Sequence, residues 1–162
     1  MVIKIKFYED INVNEQFVTP ARTITEADVV LFAAITGDYN SIHTDEVYSK
    51  KFSIYGRRVV HGLFVLSIAE GLFQRLGWFE GVPAVSIGYE DVRFIKSVFI
   101  GDTIHFVGEV IDKRISKKRE KWGIVKIKME GKNVNDNTTV ISFIHAYLVP
   151  LKNGEMKSNE KA

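Results

Sequence analysis

Two side chains that can transfer protons, Asp38 and His43, lie five residues apart in a short polar segment of the chain. A carboxylate and an imidazole are the groups most often used for general acid–base chemistry near neutral pH. Five residues is not the spacing of one helix face, so a turn must bring the two side chains together. Gly37 and Asn40 favour such a turn because both residue types tolerate a positive φ. On spacing alone, a helix-capping aspartate and a solvated histidine explain the pair better than catalysis does.

Helical patterns flank this segment. Thr25 and Asp28 resemble a capping box, and Gly37 indicates where the helix that they begin comes to an end. A later stretch that begins near Gly62 is apolar on nearly every side, so we expect that helix to be buried. The three predicted helices span residues 25–37, 44–52 and 62–76.

The second half of the chain has the composition of β-strands, rich in valine, isoleucine and aromatic residues. Helices followed by strands with short connections favour an α+β domain with an antiparallel sheet. The last strand is apolar on both faces, and because a helix covers only one face, the other is available to a second subunit. The five predicted strands span residues 84–90, 92–96, 102–114, 122–130 and 138–149.

Length and composition limit the class of protein. With 162 residues the chain is expected to form one domain, residues 1–151, followed by a polar, flexible tail, residues 152–162. A net charge of +2 without a concentrated basic patch argues against a nucleic-acid partner. Cysteine is absent from the sequence, which excludes disulfides and thiolate metal sites. With no apolar run long enough for a membrane span and no signal-peptide pattern, we predict a cytoplasmic protein with no membrane partner.

Residues 32–43 resemble the signature of the MaoC-like dehydratases, a family that includes the (R)-specific enoyl-CoA hydratases. That signature runs from an aromatic residue through small and aliphatic residues to Gly-Asp-x-Asn-Pro-aliphatic-His. Residues 59–63 and 92–104 are similar to two further family segments and occur in the same order. The resemblance therefore covers nearly the whole chain. Ser41 and Ser97 replace two family prolines, which stiffen the backbone and take no part in the chemistry.

The family's fold and reaction supply the expectations for this chain. The resemblance implies a single hot-dog domain of the α+β class, in which an antiparallel sheet wraps around a central buried helix. It also implies hydration of trans-2-enoyl thioesters, or the reverse dehydration, with Asp38 and His43 holding the water between them. The backbone N–H of Gly62, at the start of the buried helix, would stabilise negative charge on the thioester oxygen. Asn40 would orient the loop.

The implied reaction needs no cofactor and no metal, because the substrate is itself a coenzyme A thioester. Arg57 and Arg58, just before the buried helix, are possible contacts for the coenzyme A phosphates. His61 and His145 are interpreted as structural residues, and the histidines form no metal-ligand pattern. A homodimer, or a larger homo-oligomer, is expected from the family.

Two other functions are open at this point. An acyl-CoA thioesterase on the same fold would use an acidic residue on the central helix, and Glu70 stands at such a position. The other function is a non-catalytic acyl-thioester-binding or regulatory subunit, although such a subunit has no need of both Asp38 and His43. The sequence does not distinguish acyl chain lengths, the direction of the reaction, or coenzyme A from a carrier protein.

Overall fold

One antiparallel sheet of six strands forms the body of the protein, and four helices lie on it or at its margin. The computed structural model describes residues 5–152. Apart from Lys152, the predicted flexible tail lies outside the described residues. A short 3-10 helix, Tyr8–Asp10, precedes the first strand. The helices are α1 (Glu26–Thr36), α2 (Ser41–Thr44), α3 (Glu46–Phe52) and α4 (Gly62–Gln74). The strands are β1 (Gln16–Val18), β2 (Arg22–Thr23), β3 (Val85–Phe94), β4 (Thr103–Ile115), β5 (Trp122–Asn133) and β6 (Thr139–Pro150).

The strands are ordered β1-β4-β5-β6-β3, and β2 also pairs with β4. The three long hairpin-connected strands fix the register, with Val110 opposite Ile127 and Ile127 opposite His145. The predicted α+β class with an antiparallel sheet is confirmed. Strands β1 and β2 have three and two residues, too few for an alternating pattern, so the sequence did not predict them.

Helix α4 packs against the sheet and buries one of its faces there. Val65, Ile68 and Phe73 belong to this face and join the hydrophobic core. The expectation that α4 is buried all round is wrong for the single chain, since Leu63 on its outer face is 62% exposed. The cause is geometric: a sheet covers a helix from one side only. The packing of a sheet on one long helix is the hot-dog arrangement that the resemblance implies.

Strand β3 lies at one edge of the sheet and follows an irregular course. The sequence predicts two strands here, but the structure has one strand with register shifts between Ser86 and Gly88 and between Glu90 and Arg93. The second shift contains Asp91, which has a φ of 51°. This local left-handed turn explains why the pattern suggested a break.

Strand β3 leaves apolar surface open at the edge of the sheet, as helices α1, α3 and α4 do elsewhere on the chain. The prediction that β6 keeps a free apolar face is wrong, because Val140, Ala146 and Leu148 on that face are all buried within the chain. On the edge strand, by contrast, Val85 is 51% exposed and Ile87 is 49% exposed. The β3 edge therefore offers both apolar side chains and unpaired backbone groups to a second subunit.

Helix α1 ends where the first candidate residue begins. The Thr25 side chain accepts from the Asp28 N–H and the Asp28 side chain accepts from the Thr25 N–H, which confirms the predicted capping box. Gly37 adopts a φ of 76° and donates its N–H to the carbonyl oxygen of Ala33. The left-handed backbone of Gly37 ends the helix, so the chain changes direction before Asp38.

Candidate active site

The short connection between α1 and α2 is held by its own side chains and presents Asp38. Thr36 Oγ1 accepts a hydrogen bond from the Asp38 N–H at 3.3 Å, and Asp38 Oδ1 accepts one from the Asn40 N–H at 3.3 Å. Asn40 caps α2, since its Oδ1 accepts from the Ile42 N–H at 3.2 Å. The Asp38 side chain is 52% exposed. Its backbone is therefore fixed while its carboxylate is accessible, and Asn40 sits within the loop that it is predicted to orient.

His43 lies on the one-turn helix α2 and not in the open loop that the sequence suggested. Its Nδ1 is 2.6 Å from the carbonyl oxygen of Val59. Because a carbonyl only accepts, Nδ1 carries the proton and Nε2 keeps its lone pair. Burial is the largest influence on the pKa of His43 and lowers it, against the Val59 bond, which raises it. A neutral imidazole with a free Nε2 is the form that a general base requires.

His61 stands directly beside this pair. Its ring stacks on that of His43 with centroids 3.8 Å apart and planes 26° apart. Its Nε2 lies 3.0 Å from the backbone oxygen of Asp38 and must donate to it, while Nδ1 is buried without a hydrogen-bond partner in the part of the chain that the structure describes. The interpretation of His61 as merely structural missed this contact, because eighteen residues of chain separate the two histidines.

One carboxylate oxygen of Asp38 and one ring nitrogen of each histidine lie within 4.8 Å of one another. Within residues 5–152, no hydrogen bond joins the Asp38 carboxylate directly to the His43 ring. Two hydrogen bonds of ordinary length through one water molecule span about 4.6 Å. The arrangement can therefore hold a water molecule between a carboxylate and a neutral imidazole.

Gly62 is the first residue of α4, and its backbone N–H has no acceptor within that helix. The helix dipole makes this end favourable for a developing negative charge. The aromatic ring of Phe94 covers Gly62 so closely that an added Cβ would lie 2.8 Å from it. Glycine is thus needed here for close packing, and it leaves the N–H group unobstructed by a side chain of its own.

Two cavities meet at His43, Gly62 and Leu63. The first has a volume of about 310 Å³ and also contains Asp38 and His61. The second has a volume of about 530 Å³. Its remaining wall is rich in aliphatic residues, which include Ile42, Val59, Val60, Val65, Val98 and Val140, and it also contains Lys96 and Ser97. The smaller chamber, which holds the site side chains, thus adjoins a larger chamber with much aliphatic wall.

The sequence matches the family described as MaoC like domain over residues 10–133. The chain belongs to this family. Among solved structures, an Archaeoglobus protein described as a monoamine oxidase regulatory protein superposes on the MaoC-like chain with a TM-score of 0.83. The two are 34% identical, and the superposition covers 93% of this chain and 99% of that one. The resemblance drawn from the sequence and the hot-dog fold are both confirmed.

Two curated relatives share the MaoC-like domain. Protein MaoC of Klebsiella aerogenes is 43% identical over 99 residues, which is 61% of this chain and 29% of that protein. The 3-hydroxybutyryl-CoA dehydratase of Methylorubrum extorquens is 30% identical over 120 residues, 74% of this chain and 73% of that enzyme. The chain thus spans less than a third of the first relative and most of the second. Among residues 5–152, no helix has both the length and the apolar character needed to cross a membrane.

The two arginines before α4 have different surroundings in the MaoC-like domain. The Arg58 guanidinium makes two hydrogen bonds of 2.7 Å to Glu26 on α1 and one of 3.1 Å to Glu46 on α3. These bonds raise the pKa of Arg58, against the effect of its partial burial. Arg57 instead places its guanidinium 3.6 Å from the ring centre of Phe99. The contacts favour a structural role for Arg58 and leave Arg57 as the better candidate for a phosphate contact.

A second polar cluster, the Glu70 network, lies between α4 and the sheet. His145 Nδ1 is 3.3 Å from Glu70 Oε2, and Tyr147 donates its hydroxyl to the same oxygen at 2.7 Å. Ser86 Oγ lies 2.7 Å from His145 Nε2. His145 is a sheet residue on β6, as the sequence indicates, and it also has side-chain partners. Its partners come from other elements, so sequence spacing gave no sign of them.

The stacking of the two site histidines argues against a metal ion between them. An imidazole binds a metal about 2.1 Å from nitrogen, along the lone pair in the plane of its ring. Two ring planes only 26° apart, with centroids 3.8 Å apart, have no common point so close to both rings. The absence of a metal stays a prediction, and the geometry of His43 and His61 favours it.

Proposed function

We propose that the MaoC-like chain is an (R)-specific enoyl-CoA hydratase that also catalyses the reverse dehydration of 3-hydroxyacyl-CoA. The observation that carries the proposal is that a carboxylate oxygen of Asp38 and a ring nitrogen of His43 lie within 4.8 Å of each other, a separation that one water molecule can bridge. His43 contributes an unprotonated Nε2, since its Nδ1–H is bound to the Val59 oxygen. The name of the Methylorubrum relative, a 3-hydroxybutyryl-CoA dehydratase, supports the same class of reaction.

The proposed reaction begins with a water molecule between the two side chains. As the water oxygen attacks C3 of the trans-2-enoyl thioester, one member of the pair removes a proton from it. The pair then returns a proton to C2, so that the elements of water are added and neither residue is consumed. The smaller chamber would hold the water beside Asp38, and the aliphatic side chains of the larger chamber suit the acyl chain.

Negative charge develops on the thioester oxygen when the water adds. The Gly62 N–H is the proposed donor to this oxygen, because it is the first N–H of α4 and lines both chambers. A donor of this kind stabilises a transition state by about 3 kcal/mol. Arg57 is the proposed contact for the coenzyme A phosphates. The substrate carries its own activating thioester, so the proposed reaction uses no cofactor and no metal.

We further propose that two chains associate through the edge strand β3, where Val85 and Ile87 are exposed. Unpaired strand edges with apolar side chains readily pair with a second chain. Ile87→Lys should therefore convert a dimer to a monomer in sedimentation velocity experiments. A dimer unaffected by this change would place the interface elsewhere. The cytoplasmic location expected from the sequence stays a prediction.

Two competing functions make different predictions. A regulatory subunit has some support from the Archaeoglobus structure, which is described as a regulatory protein. A thioesterase would have to use Glu70, but that carboxylate is engaged by Tyr147 and His145.

One incubation with crotonyl-CoA separates the three functions. The enoyl absorbance and the free thiol are followed together. Loss of absorbance without thiol release supports the hydratase, and thiol release indicates hydrolysis. Binding without either change supports the regulatory subunit and contradicts our proposal, provided that longer enoyl-CoA substrates are inert as well.

Asp38→Asn tests the assigned site directly. The amide cannot act as a general acid or base near neutral pH, so we expect kcat for hydration to fall by about 10²–10⁴-fold. Asp112→Asn is the matched control, because Asp112 is an exposed carboxylate on β4, remote in the fold from α2. Full activity of Asp38→Asn would falsify the role that we assign to this residue.

A further inference from the structure

His61 is bonded in a way that capping of α4 does not explain. It occupies the N-cap position of that helix, yet its side chain makes no capping hydrogen bond. Its Nε2–H reaches back to the backbone oxygen of Asp38 at 3.0 Å. The side chain therefore connects the start of α4 to the residue that carries the site carboxylate.

The ring of His61 contacts two other rings. His43 stacks on one side at 3.8 Å between centroids, and Phe32 lies against it at 5.1 Å with planes 57° apart. Only 2% of His61 is exposed. Because the ring has so little freedom, it sets the plane in which the His43 ring lies. The Val59 oxygen fixes one nitrogen of His43, and the stack fixes the tilt about that bond.

The buried Nδ1 of His61 has no partner within residues 5–152. A buried nitrogen left without a hydrogen bond costs free energy and calls for an explanation at that site. A residue needed only to hold Asp38 could be an amide, which leaves no ring nitrogen unpaired. The aromatic ring is thus retained for the stack on His43.

We propose that His61 is a positioning residue that sets the Asp38 backbone and the His43 ring plane together. One side chain thereby aligns the carboxylate and the Nε2 lone pair on the same water. His61 also lowers the pKa of His43, as burial does, whereas Asp38 raises that pKa. Lys96 also lies on the wall of the neighbouring cavity, but its charge is paired with Asp136 at 3.0 Å. The inference rests on the proposed hydratase function.

Two variants separate positioning from packing. In His61→Gln the amide can still donate to the Asp38 oxygen, whereas in His61→Leu that hydrogen bond is lost. We expect kcat of His61→Leu to fall by about 10²-fold, the scale of a misplacement of about 1 Å, with KM changed far less. His61→Gln should recover only part of kcat, because it keeps the bond to Asp38 but loses the stack on His43. Equal losses of kcat in both variants, in proportion to their loss of thermal stability, would mean that His61 only packs.

The pH profile gives a readout that packing alone would not move. His43 must be neutral to act as a base, so its protonation sets the acid limb of kcat/KM. In His61→Gln the ring that opposes its charge is gone, so this limb should shift to higher pH. An acid limb unchanged from the wild type overturns the proposal, even if kcat is reduced.

A measurement without substrate keeps this inference separate from the proposed function. Nitrogen-15 NMR of the imidazole rings reports which nitrogen of His43 is protonated and the pH at which the ring titrates. We expect an Nδ1–H tautomer in the wild type and a titration midpoint that rises in His61→Gln. If the protein fails to hydrate crotonyl-CoA but these shifts appear, the function fails and the positioning role stands. An unchanged midpoint contradicts the positioning role by itself.

Discussion

His43 and His145 are both buried beside a carboxylate and an aromatic ring, but only one of them keeps a nitrogen available. His145 uses both nitrogens, with Ser86 at 2.7 Å and Glu70 at 3.3 Å. His43 uses Nδ1 for the Val59 oxygen and turns its other edge to a cavity that contains Asp38. A histidine with both nitrogens engaged stabilises the fold, whereas a free Nε2 lone pair can take a proton from a bound molecule. The two regions therefore differ in whether the histidine keeps a ring nitrogen without a hydrogen-bond partner.

Burial acts on both rings in the same direction. It lowers the pKa of His43 and lowers the pKa of His145 to about 4, where Glu70 acts in the opposite direction. Each ring is therefore neutral near neutral pH. The two histidines thus differ in their exposure to a cavity and in their hydrogen-bond partners. Substitutions at one histidine at a time test which of the two regions carries the activity.

The largest expected effect comes from replacing each histidine by glutamine. His43→Gln removes the proposed base, and kcat with crotonyl-CoA should fall by about 10²–10⁴-fold with little change in the melting temperature. His145→Gln should do the reverse, lowering the melting temperature while kcat stays close to that of the wild type. If His145→Gln abolishes turnover in a folded protein, the distinction between the two regions is wrong.

Removal of the Glu70 carboxylate should weaken the fold without affecting hydration. Glu70→Leu leaves the buried Tyr147 hydroxyl and the His145 N–H without an acceptor, which costs about 1–3 kcal/mol for each unsatisfied group. Glu70→Gln, which keeps one oxygen, should lose less. Urea denaturation measures both variants. Loss of thiol release from acyl-CoA in Glu70→Leu would instead favour the thioesterase.

The free energy of unfolding should fall as the solution is acidified below pH 6.5. The pKa of His145 is about 4 in the folded protein and has its usual value of 6.5 in the unfolded chain, because burial disfavours the charged ring. Between these values the unfolded chain binds the additional proton, so acid favours unfolding. His145→Gln should flatten the pH dependence of stability in this range. A slope identical to that of the wild type would show that other groups cause it.

The smallest effects are expected at the two arginines. Arg58→Met breaks ion pairs that join α1 to α3, and their partial exposure limits the loss of stability to about 1 kcal/mol. Arg57→Met should leave stability nearly unchanged and raise KM for crotonyl-CoA about threefold, the effect of one exposed charge contact. Steady-state kinetics and thermal melts of both variants are the test. A higher KM in Arg58→Met alone would reverse the roles that we assign.

Local signals in the sequence were sufficient for much of the fold. The cap formed by Thr25 and Asp28 and the turn at Gly37 were predictable because all of their partners lie within one turn of helix. In β5, Val125, Ile127 and Met129 alternate with polar residues, and this pattern is equally local. The bend at Asp91 was not, because its left-handed backbone is imposed by pairing with β6 and appears in the sequence only as a false break.

The candidate site shows the same limit. Asp38, His43 and Gly62 came from a resemblance that spans three segments, since no spacing rule joins them. His61 and His145 were undervalued because their partners are distant in sequence, 23 residues away for Asp38 and 75 for Glu70. Hydrogen bonds between elements depend on how the elements pack, and that information is not contained in any one segment.

The irregular course of β3 also bears on how far assembly can proceed. Its two register shifts lie at similar distances on either side of Tyr89. If a second β3 were related by a two-fold axis near this residue, each register shift would lie opposite a register shift of the partner strand. A regular strand from another molecule would pair with only part of this edge. Pairing of this kind consumes the edge in both chains and stops at two. A flat apolar strand would lack that restraint and favour fibre growth, so with the proposed pairing we expect the distorted backbone of β3 to disfavour open-ended aggregation.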